Sequence, residues 1–270
     1  MFLSSAHIRS SDFEIVITDL NSNDRSVDVV KKYQSKLPVK FITVPYDGPF
    51  WKTKALNHSV ANSCGDVITM LDVDSIVLPK FLNSIEAFFS DSSNRHNKLA
   101  HRVRFLTPEM SKAIKRDVNS INENFLSKNI KRRSVEFTRA RERYTSGERV
   151  LSGSSKSRRG RLHKAWFAKH ALGNSHFSMH KDDFLEIGGY DERFLGHGLE
   201  DLDFNLRAFR FLGRGTLRPL EQHTVFHLTH SHEKNWYGER FKVNNRVVYR
   251  GNKANNISKI PKGNDWGVFG

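Results

Sequence analysis

Between Glu14 and Thr107 short β-branched runs alternate with stretches of helical spacing, and no other feature restricts the possible folds so strongly. EIVITDL (14–20) is a β-branched run bounded by Asn21, Ser22, Asn23 and Asp24, which predicts a buried strand followed by a turn. VDVVKKYQ reads as a helix and VKFITVP (39–45) as a second strand. After a YDGP turn, WKTKALNHSVANS sets Ala55, Leu56, Val60 and Ala61 at helical spacing and leads to a third apolar run. LPKFLNSIEAFFS then turns Phe81, Leu82, Ile85, Phe88 and Phe89 to one side, and LAHRVRFLT is a further strand. Strands and helices in this order predict an α/β domain with a mostly parallel sheet flanked by helices.

The third run carries the first chemistry. CGDVITMLDVDSIVLP (64–79) delivers Asp72 and Asp74, one residue apart, where Val67, Ile68, Met70 and Leu71 give way to Ser75 and a turn bounded by Pro79. Open α/β sheets bind ligands at the carboxyl ends of their strands, and paired carboxylates there are hard oxygen ligands that suit a divalent cation carrying a diphosphate. An isolated Asp-x-Asp is equally two solvated carboxylates at a strand end.

Two later segments add to it. FLGHGLEDLDFNLRAFRFLG (194–213) has glycines at 196 and 198, then Glu200, Asp201 and Asp203, then an amphipathic helix. Acids in a first helical turn are favoured by the macrodipole, but that does not account for paired glycines, which let backbone approach a bound group. VFHLTHSHEKNW places His227, His230 and His232 within six residues. His227 and His230 can reach one cation if a strand ends in a turn between them, whereas His232 reads as a surface histidine.

Composition bounds the rest. With 270 residues, 37% of them hydrophobic and 20 Phe, the chain has the content of a folded domain. No apolar stretch approaches the ~20 residues that span a bilayer, and MFLSSAHIRSSDF lacks the pattern of a secretion signal, so a cytoplasmic location is expected. The single Cys64 excludes an internal disulfide and a multi-Cys zinc site, and reads as a small residue at a helix–strand junction. Charge is localised: fourteen basic residues face three glutamates from Ser127 to His170, a net +11 out of a total of +15. Arg132, Arg133, Arg158, Arg159 and Arg161 lie in this segment, with Phe137, Tyr144, Trp166 and Phe167 interleaved. Such a field is a footprint for a polyanion or an anionic membrane face. One domain over 1–270 with a basic insertion at 110–170 is the simplest organisation.

PFWKTKALN, LDVDS, GGYDERFLGHGLEDLDFNLR and HLTHSHEKN, in this order, resemble the metal-dependent GT-A glycosyltransferases. The likeness is greatest to the β-1,4-galactosyltransferase, polypeptide GalNAc-transferase and chondroitin-polymerase branch. It runs from about Glu14 to Lys234, interrupted by the basic segment. It implies a Rossmann-like GT-A fold, a UDP-sugar donor, and Mn2+ or Mg2+, with manganese favoured if both histidines ligate. It further implies that Asp19 reads the base, that Phe50, Lys52 and Asn57 line the nucleotide, and that Asp72 belongs to the donor site. Asp74, His227 and His230 would hold the metal, Asp201 would be the general base, and Glu200 would hold a sugar. Gly188 and Gly189 would form the turn ahead of that motif, with Gly189 at the donor. Family members begin with a strand of the type SIIIPxxN; only MFLSSAHIRSSDF precedes Glu14, so that strand is expected to be truncated or replaced. His197 stands where galactosyltransferases carry the acceptor-stacking tryptophan.

The resulting expectation is inverting transfer from a UDP-sugar to a hydroxyl. His197 and the five arginines are the acceptor-side candidates. The basic segment favours a hydroxymethylated base in DNA, as in phage-type DNA modification. The alternatives are transfer to cell-surface or lipid-linked glycan, with the basic segment on anionic headgroups, and a non-catalytic nucleic-acid-binding protein on the same scaffold. An unrelated metal hydrolase is a further, remote reading.

Overall fold

The computed structural model describes residues 12–78, 80–116, 175–213, 223–230 and 239–269. In chain order the elements are β1 (Ile15–Asp19), α1 (Ser26–Gln34), β2 (Val39–Thr43), α2 (Lys52–Ala61), β3 (Val67–Met70), β4 (Ser75–Val77), α3 (Lys80–Ser90), β5 (Leu99–Ala100), β6 (Arg102–Phe105), α4 (Pro108–Arg116), β7 (Phe177–His180), α5 (Lys181–Ile187), α6 (Glu200–Leu212), β8 (Thr224–His227) and α7 (Glu239–Ala254). They fall into two compact units. The first includes 69–78, 80–116, 175–178 and 223–230; the second includes 12–68, 179–211 and 239–269, so the division lies inside β3 and β7.

In the second unit β1 and β2 pair in parallel from Ile15↔Val39 to Asp19↔Thr43, with α1 as the crossover that parallel pairing requires. Asp19 therefore stands at a carboxyl strand end. α2 lies on β1, with Thr18 Oγ1 and Ser59 Oγ 2.8 Å apart. α6 is buried along most of its length, including an ion pair between Asp203 and Arg207 at 2.7 Å with both side chains 1% exposed. Asn252 of α7 donates to Asp203 at 2.9 Å and to Asp191 at 2.8 Å, fastening that helix to α6 and to the loop ahead of it.

In the first unit β8 is central, antiparallel to β4 and parallel to β6. Ile76, Leu106, Met110, Ile114 and Phe226 form its core, with Leu78 and Leu228 packed on it. Met110 and Ile114, at i and i+4, are the face that α4 turns inward.

Several details depart from the sequence reading. The sheets are mixed, because β4 and β5 take antiparallel partners, β8 and β7, from the C-terminal half. The Asp-x-Asp does not close a strand before a turn ending at Pro79. Asp72 follows the end of β3, Asp74 lies in a turn, and the chain re-enters a sheet at Ser75 because Ile76 and Val77 pair with Phe226 and Val225. LAHRVRFLT is interrupted at His101, which is wholly buried and shares a 2.9 Å hydrogen bond with Ser178 Oγ. Cys64 does sit between α2 and β3, but it is exposed. Among the described residues no helix is long and apolar enough to cross a membrane.

Candidate active site

The antiparallel register Ser75↔His227 sets the residue before β4 opposite the residue after β8, and Leu228 N–H donates to Asp74 O at 2.9 Å. Strand pairing thus gathers residues more than 150 positions apart. Asp74 Oδ1 lies 3.2 Å from His227 Nε2, and Asp74 Oδ2 lies 2.9 Å from His230 Nε2. The three offer one ligand atom each within 4.8 Å of one another.

The donor set fits a cation. His227 Nδ1 is 2.8 Å from Leu228 O; a carbonyl only accepts, so Nδ1 carries the proton and, in the neutral ring, Nε2 presents a lone pair. That lone pair faces Asp74 Oδ1, which is buried and accepts no hydrogen bond among the described residues. Two acceptors turned toward each other are reconciled by a proton or by a metal ion. The carbonyl is also the second contact that commonly fixes the tautomer of a metal-ligating imidazole.

Asp72 is held differently. Ser175 Oγ donates to its Oδ2 at 2.8 Å, and His176 Nε2 lies 3.5 Å from the same oxygen. His176 is itself buried and bonded to Ser75 Oγ at 2.8 Å. Sequence reading missed both Ser175 and His176, since one Ser-His pair in a polar stretch carries no spacing signal.

In the second unit the Gly-His-Gly turn is built by glycine conformations and by asparagine. Gly196 and Gly198 have φ of +64° and +118°, and Leu199 follows at +74°, a strained value for a non-glycine residue. Asn245 of α7 accepts from Leu195 N–H at 3.1 Å and donates to Leu195 O at 2.8 Å and Gly198 O at 3.0 Å. The turn opens α6 at Glu200 and Asp201.

These two acids have unlike surroundings. Glu200 is 2% exposed; its Oε1 meets Lys52 Nζ at 3.1 Å and His197 Nδ1 at 3.2 Å, while Gly198 N–H donates to Oε2. Burial pushes its pKa up, but the His197 hydrogen bond and the Lys52 charge outweigh it and bring it down to about 2. The same hydrogen bond pulls the His197 pKa upward, against burial. Asp201 is 17% exposed, with Lys52 Nζ 3.3 Å from Oδ2 and the Tyr190 hydroxyl 3.2 Å from Oδ1.

The other expected residues are placed as follows. Lys52, expected beside the nucleotide, bridges the acid pair. Glu200, expected to hold a sugar, is enclosed and engages Lys52, His197 and the Gly198 backbone. Asn57, expected at the nucleotide, is fully buried: its Oδ1 accepts from Tyr190 N–H and its Nδ2 donates to Tyr190 O, each at 2.9 Å, and to Glu192 at 2.8 Å. Gly189, at φ +62°, lies where a Cβ would come 2.5 Å from Asn57 Oδ1, so it serves that turn. Asp19 is 7% exposed and accepts from Ser22 N–H at 3.1 Å. Phe50 is 48% exposed, and its carbonyl accepts from Gly196 N–H. Arg132, Arg133, Arg158, Arg159, Arg161 and His232 lie outside the described residues.

The fold is that of the GT-A glycosyltransferases. The structure of S. aureus TarS 1-349 in complex with UDP-GlcNAc matches with a TM-score of 0.55 at 14% identity, over 89% of this chain and 58% of that one. A longer TarS structure matches at 0.50 over 82% and 32%; likeness at such identity concerns fold. Residues 2–144 match the model of glycosyl transferase family 2, more than half of the chain, and the chain belongs to that family. Residues 163–231 match the model described as the N-terminal domain of galactosyltransferase, in keeping with the motif resemblance. Curated relatives include the validoxylamine A glucosyltransferases of Streptomyces hygroscopicus subsp. jinggangensis (strain 5008) and subsp. limoneus, both 24% identical over 73% of this chain. The chain spans 44% and 41% of their lengths.

Proposed function

We propose that this chain is a metal-dependent, inverting glycosyltransferase that moves a sugar from a UDP-sugar to a hydroxyl on a polyanionic acceptor, with hydroxymethylated bases in DNA as the favoured acceptor. The observation that carries the reading is the division of labour among the acids: Asp74 faces two imidazoles, Glu200 is enclosed and ionised, and Asp201 alone of the Glu200–Asp201 pair keeps solvent access. Family membership and the UDP-GlcNAc complex of the TarS neighbour support the nucleotide-sugar donor.

Asp74, His227 and His230 would hold the cation, manganese in preference to magnesium because two imidazoles suit a softer ion. When bound, it supplies charge neutralisation for the departing diphosphate. Asp201 accepts the proton of the acceptor hydroxyl as that oxygen bonds to the anomeric carbon and the bond to UDP breaks, so the proton ends on the carboxylate. One displacement inverts the anomeric centre. Glu200 cannot take that proton at neutral pH, being ionised down to about pH 2; it anchors His197 and Lys52. The +11 segment, residues 127–170, which runs across the junction of the two family matches, is the argument for DNA, and the cytoplasm, of a bacterial host if the chain is viral, is the corresponding location.

The test incubates the protein with Mn2+, a panel of UDP-sugars and duplex DNA with or without 5-hydroxymethylpyrimidines, then digests to nucleosides and reads masses. A sugar-sized gain on the hydroxymethylated base, absent in Asp201→Asn, is expected. No gain on DNA, with UDP released in the presence of glycans, would replace this acceptor by the glycan one.

A further inference from the structure

We infer that Tyr190 is a positioning residue for Asp201, fixing the plane of the carboxylate that meets the acceptor hydroxyl. The inference rests on the glycosyltransferase reading above, and on a chain of constraints within the second unit. The Tyr190 hydroxyl donates to Asp201 Oδ1 at 3.2 Å, while Lys52 Nζ lies 3.3 Å from Oδ2, so each carboxylate oxygen has its own donor. With one donor from α2 and one from the loop ahead of α6, rotation of the carboxylate breaks at least one bond.

Tyr190 is itself immobilised. Its side chain is 1% exposed, and its ring stacks on Phe204 with centroids 4.9 Å apart and 29° between planes. Phe204 is three residues beyond Asp201 on the same helix, so ring and carboxylate are referenced to one rigid element. Its backbone N–H and C=O are both bound by the buried Asn57, directly after the left-handed Gly188 and Gly189. A buried aromatic requires only an apolar ring; here its one polar atom is aimed at the carboxylate that has solvent access. Among the described residues, Lys52 is the charged group placed against Asp201, with Glu200 and His197 beside it.

Tyr190→Phe keeps the ring and removes the donor. Turnover, read as UDP released from a UDP-sugar panel with Mn2+, is expected to fall about tenfold in kcat, with the acceptor KM and the UDP Kd moved less than about twofold. Removing a donor from the charged form raises a carboxyl pKa, so the acid limb of the kcat profile should move to higher pH. A thermal-unfolding cycle of Tyr190→Phe, Asp201→Ala and the double variant reads the bond without any substrate, and coupled, non-additive losses are expected. Additive losses would overturn the bond and the inference with it. Coupled losses with an unmoved acid limb would make the bond purely structural and overturn the positioning role. Wild-type protein that releases UDP from no donor would refute the glycosyltransferase reading and, with it, this role; the wild-type control tells that failure from the other two.

Discussion

Glu200→Gln is the perturbation whose size follows most directly from the site. The carboxyl is 2% exposed and titrates at about 2, against an ordinary value of 4.5. That depression corresponds to about 3 kcal/mol of preference for the ionised form in the folded protein. A folded-state pKa below the unfolded one gives stability that is complete above pH 4.5 and is lost as pH falls toward 2. Glutamine keeps the shape but not the charge, so His197 loses the carboxylate it is bonded to and Lys52 is left with that of Asp201. The variant should therefore be about 3 kcal/mol less stable than wild type in urea unfolding at pH 7, and the difference should shrink by about 1 to 1.5 kcal/mol by pH 3.5. The His197 pKa, held up chiefly by its hydrogen bond to Glu200, should fall in the same variant when followed by NMR. A stability difference that is constant from pH 7 to 3.5, or below about 1 kcal/mol at pH 7, would refute the picture of an enclosed, charge-compensated Glu200.

Other expectations concern the metal cluster, the glycine turn and the buried ion pair. Asp74→Ala should abolish saturable Mn2+ binding in calorimetry while leaving the far-UV spectrum unchanged, since the side chain is part-exposed and outside the core. Gly188→Ala should lower the melting temperature and cost more than about 2 kcal/mol, because its φ is +86° and a Cβ would lie 1.9 Å from Ile260 O. Asp203→Asn should cost about 3 to 5 kcal/mol in denaturant unfolding, because it leaves the Arg207 guanidinium enclosed without its carboxylate.

How much of this was legible in the sequence depends on what each element buries. β1, β2, α2 and α3 were visible because their apolar residues recur at strand or helix period, and Asp74 because it punctuates such a run, whereas Asp19 was nominated by the family resemblance alone. α7 was not visible. Its buried residues include Asn245 and Asn252, while Val243 and Val247 are 57% and 66% exposed, so hydrophobic periodicity points away from the face that packs. The trio of Asp74, His227 and His230 could be nominated from residue type, but only the β4–β8 register brings it together. Asn57 and Gly189 show what residue type leaves out: nominated for the donor site from their place in a motif, both are packed in the turn that presents Tyr190, and that burial is not written in the residue type. Glu200 and Asp201 are adjacent in sequence and chemically alike; their difference arises from Lys52, His197 and Tyr190, three residues brought in by other segments.

The central claim is that a cation held by Asp74, His227 and His230 serves transfer from a nucleotide sugar. The most direct measurement is UDP release from a UDP-sugar panel by chelator-treated protein, with Mn2+ added back stepwise, in wild type and His227→Ala. Release that is absent after chelation, returns saturably with Mn2+ and requires more metal or fails to return in His227→Ala is the predicted result. Release that persists in chelator, or depends on Mn2+ identically in both proteins, would contradict the account.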